Sequence, residues 1–592
     1  MPTLPELMNT LTVSDIKELL DYFPGASKVG RKELLLAPIL HAMAGAGLQG
    51  VWEQLDDCQR LAVGEAVHDG HGIFHAARFA AKYGQQPAFR RSRVGERRYG
   101  SHGVMTALCL FLHWDGAHYV VPTDLQDRLK AFVPKPAANT LASAAALPEP
   151  ASDAMPMTVR GTAPDALHDV VALLRASDQG LIAVSDKTRL PGIAGVRVVE
   201  GKIAGGDFYE ATAPKDAWEQ SIGPIKALAW PLLLQAGALA QLNGSKLGLT
   251  AAGMKALQLA PADVVRGIWR KWLSSTLLDE MSRVDAIKGQ KSKARMSAVG
   301  PRRAIVAQYL QRCPLDSWIS ISDLSRFMRA EGCPLTICHD IGNLYIGDPN
   351  YGSLGYGGEH TWNVLQLRYL LCVLFEVCAT LGMIDVAYVS PHEARCDYGD
   401  LWGTDEMSFL SRYDGLMYFR LNALGAYCLG VRDSYTPVAA APTCTLAVQA
   451  NLHVRVSGGE LSTDELLMLD NWASRETDQL WRLDREKAIA AIERGHDAAQ
   501  LAAFLQERDS QPLPVQVEGF LRNCSRQGKA MTVLATSLLI ECVDLETADL
   551  IAAHKDTARL CMRAGARHLV VRLDQEDKFR KAARLLGYGI PA

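Results

Sequence analysis

Apolar side chains recur at three- and four-residue spacing along most of the chain, with short alternating stretches between them, so the pattern predicts mostly helices with a few small strands. Thr12 or Ser14 can cap a first helix in which Ile16, Leu19, Leu20 and Phe23 share a face. After the turn 24-PGASKVG-30, residues 31–43 predict a second short helix that Pro38 should kink or end, because proline lacks the N–H that continues a helix. Residues 49–135 read as mostly helical. Residues 136–157 are rich in Ala, Ser and Pro, carry little bulk and predict a linker. Beyond it, 165–192 predict helix, turn and a short strand around Leu181, Ile182 and Val184, with a further cap at Ser185.

The stretch 225–281 is more informative. It predicts a helix, a strand over 238–242, a tight turn at Asn243-Gly244, a strand over 246–249, a Thr-led helix, and a helix over 262–281 whose Val265, Trp269, Trp272 and Leu273 share a core face. The same order returns at 371–430, where an apolar helix ends in 381-LGMIDVAYV-389 and 418-YFRLNALGAYCLG-430 closes strand to helix as 247-LGLTAAGMKAL-257 does. From about 443 onward short strands and helices alternate, which predicts an α+β block.

These phrases carry resemblances. The helix pair over 1–48, with Lys28, Arg31 and Lys32 at its turn, resembles the SAP box, a small DNA-binding helical module, although Pro38 and balancing acids depart from it. The helix, hairpin and helix order resembles a winged helix, twice. In the last block, 448-VQANLHVRV-456, residues 481–521 and 583-ARLLGYGI-590 resemble a helicase-associated domain related to the amino-terminal region of XPB-type DNA repair helicases. The phrases 121-VPTDLQDRL-129, 247-LGLTAAG-253, 362–387 and 419-FRLNALG-425 look like the upstream part of bacterial proteins that carry that domain. The resemblance spans roughly three quarters of the chain, in structural phrases and not in catalytic residues. It implies a multi-domain protein, predominantly α with α+β parts: a SAP-like module (1–48), a helical domain (49–135), a linker (136–157), a winged-helix-like domain with a basic carboxy-terminal segment (158–300), a second winged-helix-like domain (301–436) and the helicase-associated domain (437–592).

Composition sharpens this picture only locally. With 592 residues, 48% hydrophobic and 21% charged, the chain is long enough for several cores, and 13 Cys fall far below the density of a disulfide scaffold. A reducing cytoplasmic setting is expected, because the amino terminus lacks a positively charged segment before an apolar one. The apolar stretch 369–389 contains Glu376 and Asp385, so it predicts a buried helix and no membrane span. Net charge is −3, which advertises no nucleic-acid surface. Two local runs differ: 90–98, with Arg90, Arg91, Arg93, Arg97 and Arg98, and 281–303, with Arg283, Lys288, Lys291, Lys293, Arg295, Arg302 and Arg303 against Asp285. Side chains of this kind can neutralise phosphates without reading bases; the alternative is a solvated loop for 90–98 and a solvated interdomain linker for 281–303.

Catalytic chemistry is weakly represented. No Gly-x4-Gly-Lys-Ser/Thr loop is present to cradle a nucleotide phosphate, and 277-LLDE-280 falls inside a predicted amphipathic helix. Glu200 and Lys202 fit half of a metal-dependent nuclease motif, with Asp165 or Asp186 upstream. Cys333, Cys338 and His339, with His360, His392 and Cys396, offer soft ligands without zinc-finger spacing. The Gly-rich stretch 347–358 predicts a surface or contact loop, and no Gly-x-Ser-x-Gly elbow marks a nucleophile. The expected function is a non-catalytic DNA-binding accessory subunit, without cofactor or bound metal, acting beside a separately encoded helicase or nuclease in DNA repair or defence against foreign DNA. The alternatives are a protein-interaction scaffold without direct DNA binding and a cryptic metal-dependent nuclease.

Overall fold

Apolar positions from the first helix pair and from the helical stretch after it meet in one place. In the computed structural model, which describes residues 2–91, 103–149, 155–210, 220–291, 294–356, 361–405, 407–437 and 444–591, Leu4, Ile16, Leu35 and Ile39 are buried in the same cluster as Val63, Phe111, Leu125 and Leu129. Thr12 starts the helix Val13–Leu19 by accepting from the Asp15 N–H at 3.2 Å. The next helix, Lys32–Ala44, runs through Pro38 instead of stopping there. The carbonyl that Pro38 leaves without a partner is that of Leu34, and Leu34 lies on the solvent side at 67% exposure, where water can serve it.

By its internal contacts the chain divides into two units: residues 1–441 with 463–467, and residues 442–462 with 468–592. Among the described residues no single helix is long and apolar enough to cross a membrane.

Within the first unit, the low-bulk stretch after residue 135 is a strap. Ala144 and Trp318 exchange backbone hydrogen bonds of 2.9 and 2.7 Å, and Asn139 Nδ2 donates to the Phe327 carbonyl at 3.2 Å. Trp318 belongs to an edge strand, so an Ala-rich segment that lies flat covers backbone groups that would otherwise be open.

The rest of this unit is built from two halves with one connection order. In the first, the helix Ala163–Asp178 leads to residues 182–184, the helix Ile193–Glu200, the helix Lys226–Ala236 and the hairpin Ala240–Asn243 with Lys246–Leu249. Residues 182–184 pair onto the last strand, with the Leu247 N–H donating to the Ile182 carbonyl at 2.9 Å. In the second, the helix Val299–Gln311 leads to the strand Trp318–Ser320, the helix Ile321–Ala330, a long helix (Trp362–Leu367, Arg368–Cys372 and Val373–Cys378) and the strands Ile384–Tyr388 and Leu416–Leu421. Trp318–Ser320 again pairs with the last strand, Ile319 opposite Phe419, and that strand pairs on its other side with Ile384–Tyr388, Val386 opposite Phe419. Thr158–Arg160 adds a fourth strand, Arg160 opposite Val386.

The third helix of each half is mostly apolar and buried, and its few charges are paired inside: Lys226 lies 3.1 Å from Asp169, Arg368 3.0 Å from Asp414 and Glu376 3.0 Å from Arg283. Trp230, Leu233 and Leu234 of one, and Leu371, Phe375 and Cys378 of the other, are buried in one core. These two helices pack against each other, and a small cavity beside the contact is lined by Ala229, Leu233 and Ala236 of one and by Glu376 and Val377 of the other.

Both halves also close in the same way. After the third helix the chain reverses through a residue in the left-handed region, Ala238 (φ 54°) or Gly382 (φ 71°). The carbonyl of the following residue, Leu239 or Met383, then accepts from the cap of a short helix, Thr250 N–H at 3.0 Å or Asn422 N–H at 3.4 Å. Each cap side chain accepts in turn from a glycine N–H, Gly253 at 3.0 Å and Gly425 at 2.9 Å. A Cβ on Gly253 would stand 2.0 Å from the Leu239 oxygen, and one on Gly425 1.9 Å from the Met383 oxygen. We expect Gly425→Ala to destabilise this unit by about 1–3 kcal/mol through overpacking. Gly267→Ala, in the helix Pro261–Trp272 with nothing within 4 Å of its Cβ, should be neutral or mildly stabilising. Urea unfolding of the two variants checks this, and equal midpoints would refute it.

The second unit contains the antiparallel strands Cys444–Val448, His453–Gly459, Leu480–Leu483 and Ala473–Thr477, adjacent in that order. Val454, Trp481 and Leu483 point to its buried side, and the helices Arg485–Glu493, Ala498–Arg508 and Val515–Gly528 follow. A second, three-stranded sheet (Ser537–Glu541, His568–Arg572, Cys561–Arg563) has its own core of Ala548, Ile551, Leu569, Val571 and Phe579.

Candidate nucleic-acid interface

The basic segment 281–303 separates into a buried part and an exposed part. Arg302 and Arg303, expected as phosphate contacts, are each 1% exposed. The helix that precedes them ends at Trp272, not near 281, which frees Asp279 and Glu280 to turn inward. Arg303 donates to Glu280 at 2.6 and 3.1 Å and to the Ser275 and Leu278 carbonyls at 2.6 and 2.8 Å, and its guanidinium lies 4.3 Å from the Trp272 ring centre. Arg302 donates to Asp279 at 2.5 Å and lies over the Tyr369 ring. Arg283 donates to both carboxylate oxygens of Glu376, at 3.0 and 3.1 Å. Burial pushes the Glu280 carboxyl up, and the Arg303 charge opposes that rise. These three arginines hold the core together and cannot reach a ligand in solution.

Lys288, Lys291 and Arg295 are exposed. Among the described residues they have no carboxylate partner: Asp285 is taken by Arg412, and Asp340 accepts from Asn343 Nδ2 at 2.7 Å. The backbone fixes their placement. Ile287–Lys288 pairs with Tyr345–Ile346, Lys288 opposite Tyr345. Gly289 follows at φ 79°, where a Cβ would stand 2.1 Å from the Asn343 oxygen, so only glycine fits. Residues 294–297 then pair with 337–340, and the His339 N–H donates to the Arg295 carbonyl at 3.1 Å.

This surface also carries aromatic rings that sequence reasoning did not single out. Tyr351 and Trp402 are 70% and 52% exposed, with ring centres 5.4 Å apart and planes 34° apart. Trp402 lies over Gly347, directly after the strand Tyr345–Ile346. The available signal was a tryptophan in a loop, 400-DLWGTD-405, without apolar periodicity on either side. Exposed lysines on one strand and exposed rings past the end of its paired strand offer the two things a nucleic-acid strand needs, charge for phosphate and a flat face for bases.

The other predicted basic residues are less available. Lys28 is ion-paired with Asp21, and Lys32 Nζ donates to the Asn9 carbonyl at 2.6 Å. Arg31 is exposed at the start of the helix Lys32–Ala44. Arg90 donates to Asp15 at 2.8 Å and to the Gly103 carbonyl at 2.8 Å, and Arg91 lies 3.9 Å from Asp56. Arg93, Arg97, Arg98 and Lys293 lie outside the described residues.

The residues considered for metal chemistry are not gathered together: among the described residues no group of three or more His, Cys, Asp or Glu is placed to hold an ion. Asp165 is bound by Arg160 at 2.7 Å, and His392 Nδ1 meets Ser408 Oγ at 2.8 Å. Burial raises the Cys333 and Cys338 thiols. His360 lies outside the described residues.

No protein-family model matches this chain, and no curated protein matches it either.

Proposed function

We propose that this chain is a non-catalytic accessory protein that holds DNA for a separately encoded helicase or nuclease. In this reading the two halves of the first unit are winged helices, supported by their shared order of helix, strand, helix, helix and hairpin with the first strand paired to the last. Burial of the third helix in each half argues against insertion of that helix into a groove. Contact then falls to the loops, and the observation that carries the reading is the exposed set Lys288, Lys291 and Arg295, without a carboxylate partner among the described residues, together with the exposed rings Tyr351 and Trp402 past the end of the strand Tyr345–Ile346 that pairs with Ile287–Lys288. Such contacts act on phosphates and ring faces and do not read sequence.

Replacing Lys288 and Lys291 with Ala should weaken binding of a 30-base-pair duplex about tenfold at 0.1 M salt. It should also make the plot of log affinity against log salt shallower by about 1.8, because each phosphate contact contributes about 0.9. The loss should be equal for unrelated sequences. An unchanged slope would remove this surface from the proposal.

Docking of a partner protein through the second unit is favoured by one observation. On the open face of its three-stranded sheet Leu539 and Met562, 68% and 63% exposed, both stand opposite Val570 and form an apolar row.

A further inference from the structure

The solvent side of the four-stranded sheet in the second unit carries polar side chains that the basic surface of the first unit does not involve. Along His453–Gly459 the side chains alternate, with Val454 and Val456 buried and Arg455 exposed between them; on Leu480–Leu483, Trp481 and Leu483 are buried and Arg482 is exposed. The register sets His453 opposite Arg482 and Arg455 opposite Leu480, so the two arginines are diagonal neighbours on one face. Among the described residues neither has a carboxylate partner. The acids nearby are already engaged, Glu476 by His453 at 3.2 Å and Asp478 by Arg475 at 3.0 Å.

Next to these arginines, Gln449, Asn451, Thr477 and Gln479 join His453 and Arg455 around a cleft of 420 Å³. That volume lies within the range of small-ligand sites, about 300–1,000 Å³. His453 Nδ1 is buried there without a hydrogen-bond partner. A face with two unpaired guanidinium groups and three carboxamides suits a ligand that presents both an anion and a set of paired donors and acceptors. Carboxamides match the edges of bases, and guanidinium matches phosphate. A duplex keeps the Watson–Crick edges of its bases paired inside and holds each base in the stack, whereas a single strand can turn one whole nucleotide into a cleft of this size.

We propose that this sheet face binds a single nucleic-acid strand, with Arg455 and Arg482 on its phosphates and Gln449, Asn451 and Gln479 on the base or sugar edges of one nucleotide. The proposal extends the DNA-binding reading but stands on a different unit and on different residues.

The test is fluorescence anisotropy of the full-length chain with a labelled 12-nucleotide oligothymidylate at several salt concentrations. Arg455→Ala with Arg482→Ala should lower affinity at least tenfold and reduce the salt slope by about 1.4, two contacts at about 0.7 each for single strands. Gln479→Leu should lower affinity severalfold and leave the slope unchanged, a result that general loss of charge cannot produce. Circular dichroism melting of the variants should match the parent, since all three side chains are exposed. Parental affinity in the double arginine variant overturns the proposal, whatever Lys288→Ala with Lys291→Ala does; loss confined to the arginine variant supports it, and the first surface is decided separately by its duplex assay. Competition by thymidine monophosphate at micromolar concentration would support the cleft with a free nucleotide as its ligand, and failure to compete at millimolar concentration would support the strand. Equal competition by polyglutamate would overturn the proposal in favour of an acidic peptide.

Discussion

Arg303→Met is expected to destabilise the first unit by about 3–5 kcal/mol, because it leaves Glu280 buried without its counter-charge. Both members of this pair are 1% exposed, and the arginine also holds the Ser275 and Leu278 carbonyls. The loss should depend on pH with a definite sign. Burial already raises the Glu280 carboxyl, and removing the arginine removes the main influence that lowers it. The folded variant therefore binds a proton more readily than the unfolded one, and its stability falls as pH rises above the ordinary carboxyl range. Urea unfolding at pH 5.5 and 8 should show the larger deficit at pH 8. Adding Glu280→Leu should recover most of the loss, since an apolar pair of similar volume often replaces a buried ion pair without cost. Were Arg303 a phosphate contact, as its basic neighbourhood in the sequence suggests, Arg303→Met would leave stability alone and weaken DNA binding; that outcome would refute the structural role.

The contrast between Arg303 and Lys288 explains how much of the candidate surface was legible. Summing charge over 281–303 identifies a basic stretch but treats every residue as solvated. The partners of Arg302 and Arg303 stand 23 residues earlier in the chain, and they reach them only because the helix stops at Trp272. Helix length is decided there by packing, which periodicity does not encode. Local geometry was read more accurately. The hairpin after Gly237 was visible in its alternation and its Asn-Gly pair, and the structure shifts only the turn, to Gly244 and Ser245, with the first strand at Ala240–Asn243. The recurrence of the closing phrase was also visible, and it corresponds to a repeated contact between a cap, a glycine and a carbonyl. Of the two outcomes expected at Pro38, a kink or an end, the continuous helix excludes the end, because the cost of a proline inside a helix depends on whether the carbonyl it orphans can face water.

The apolar third helices carry a further consequence. A sequence such as 226-KALAWPLLLQA-236 has no polar face to offer a groove, so its burial could be anticipated from composition alone. What sequence could not supply was the neighbour on the other side, the segment around Glu376 in the second half. The two halves thus use for mutual packing the element that would otherwise be free to meet a ligand.

His113 is expected to make the first unit sensitive to mild acid. It is 5% exposed in the amino-terminal core, on the strand His113–Trp114, with Val120 opposite. Burial pushes its imidazole down to about 4, against an ordinary value of 6.5, and a hydrogen bond to the Leu110 backbone and the charge of Asp124 only partly oppose this. Its Nε2 is buried without a hydrogen-bond partner, so a proton placed there gains no bond within the protein. The folded state holds the proton less well than the unfolded state. Stability from this site is therefore complete above about pH 6.5 and is lost as pH falls from 6.5 towards 4, by about 3 kcal/mol in total. His113→Phe keeps the ring and removes the titration, so its stability should change less over that interval. Urea unfolding at pH 7 and pH 4.5, followed by hydrogen exchange of the peptide covering residues 108–121, measures the difference where it arises. The same acid loss in parent and variant would show that other groups, the carboxylates of this core among them, carry the pH dependence.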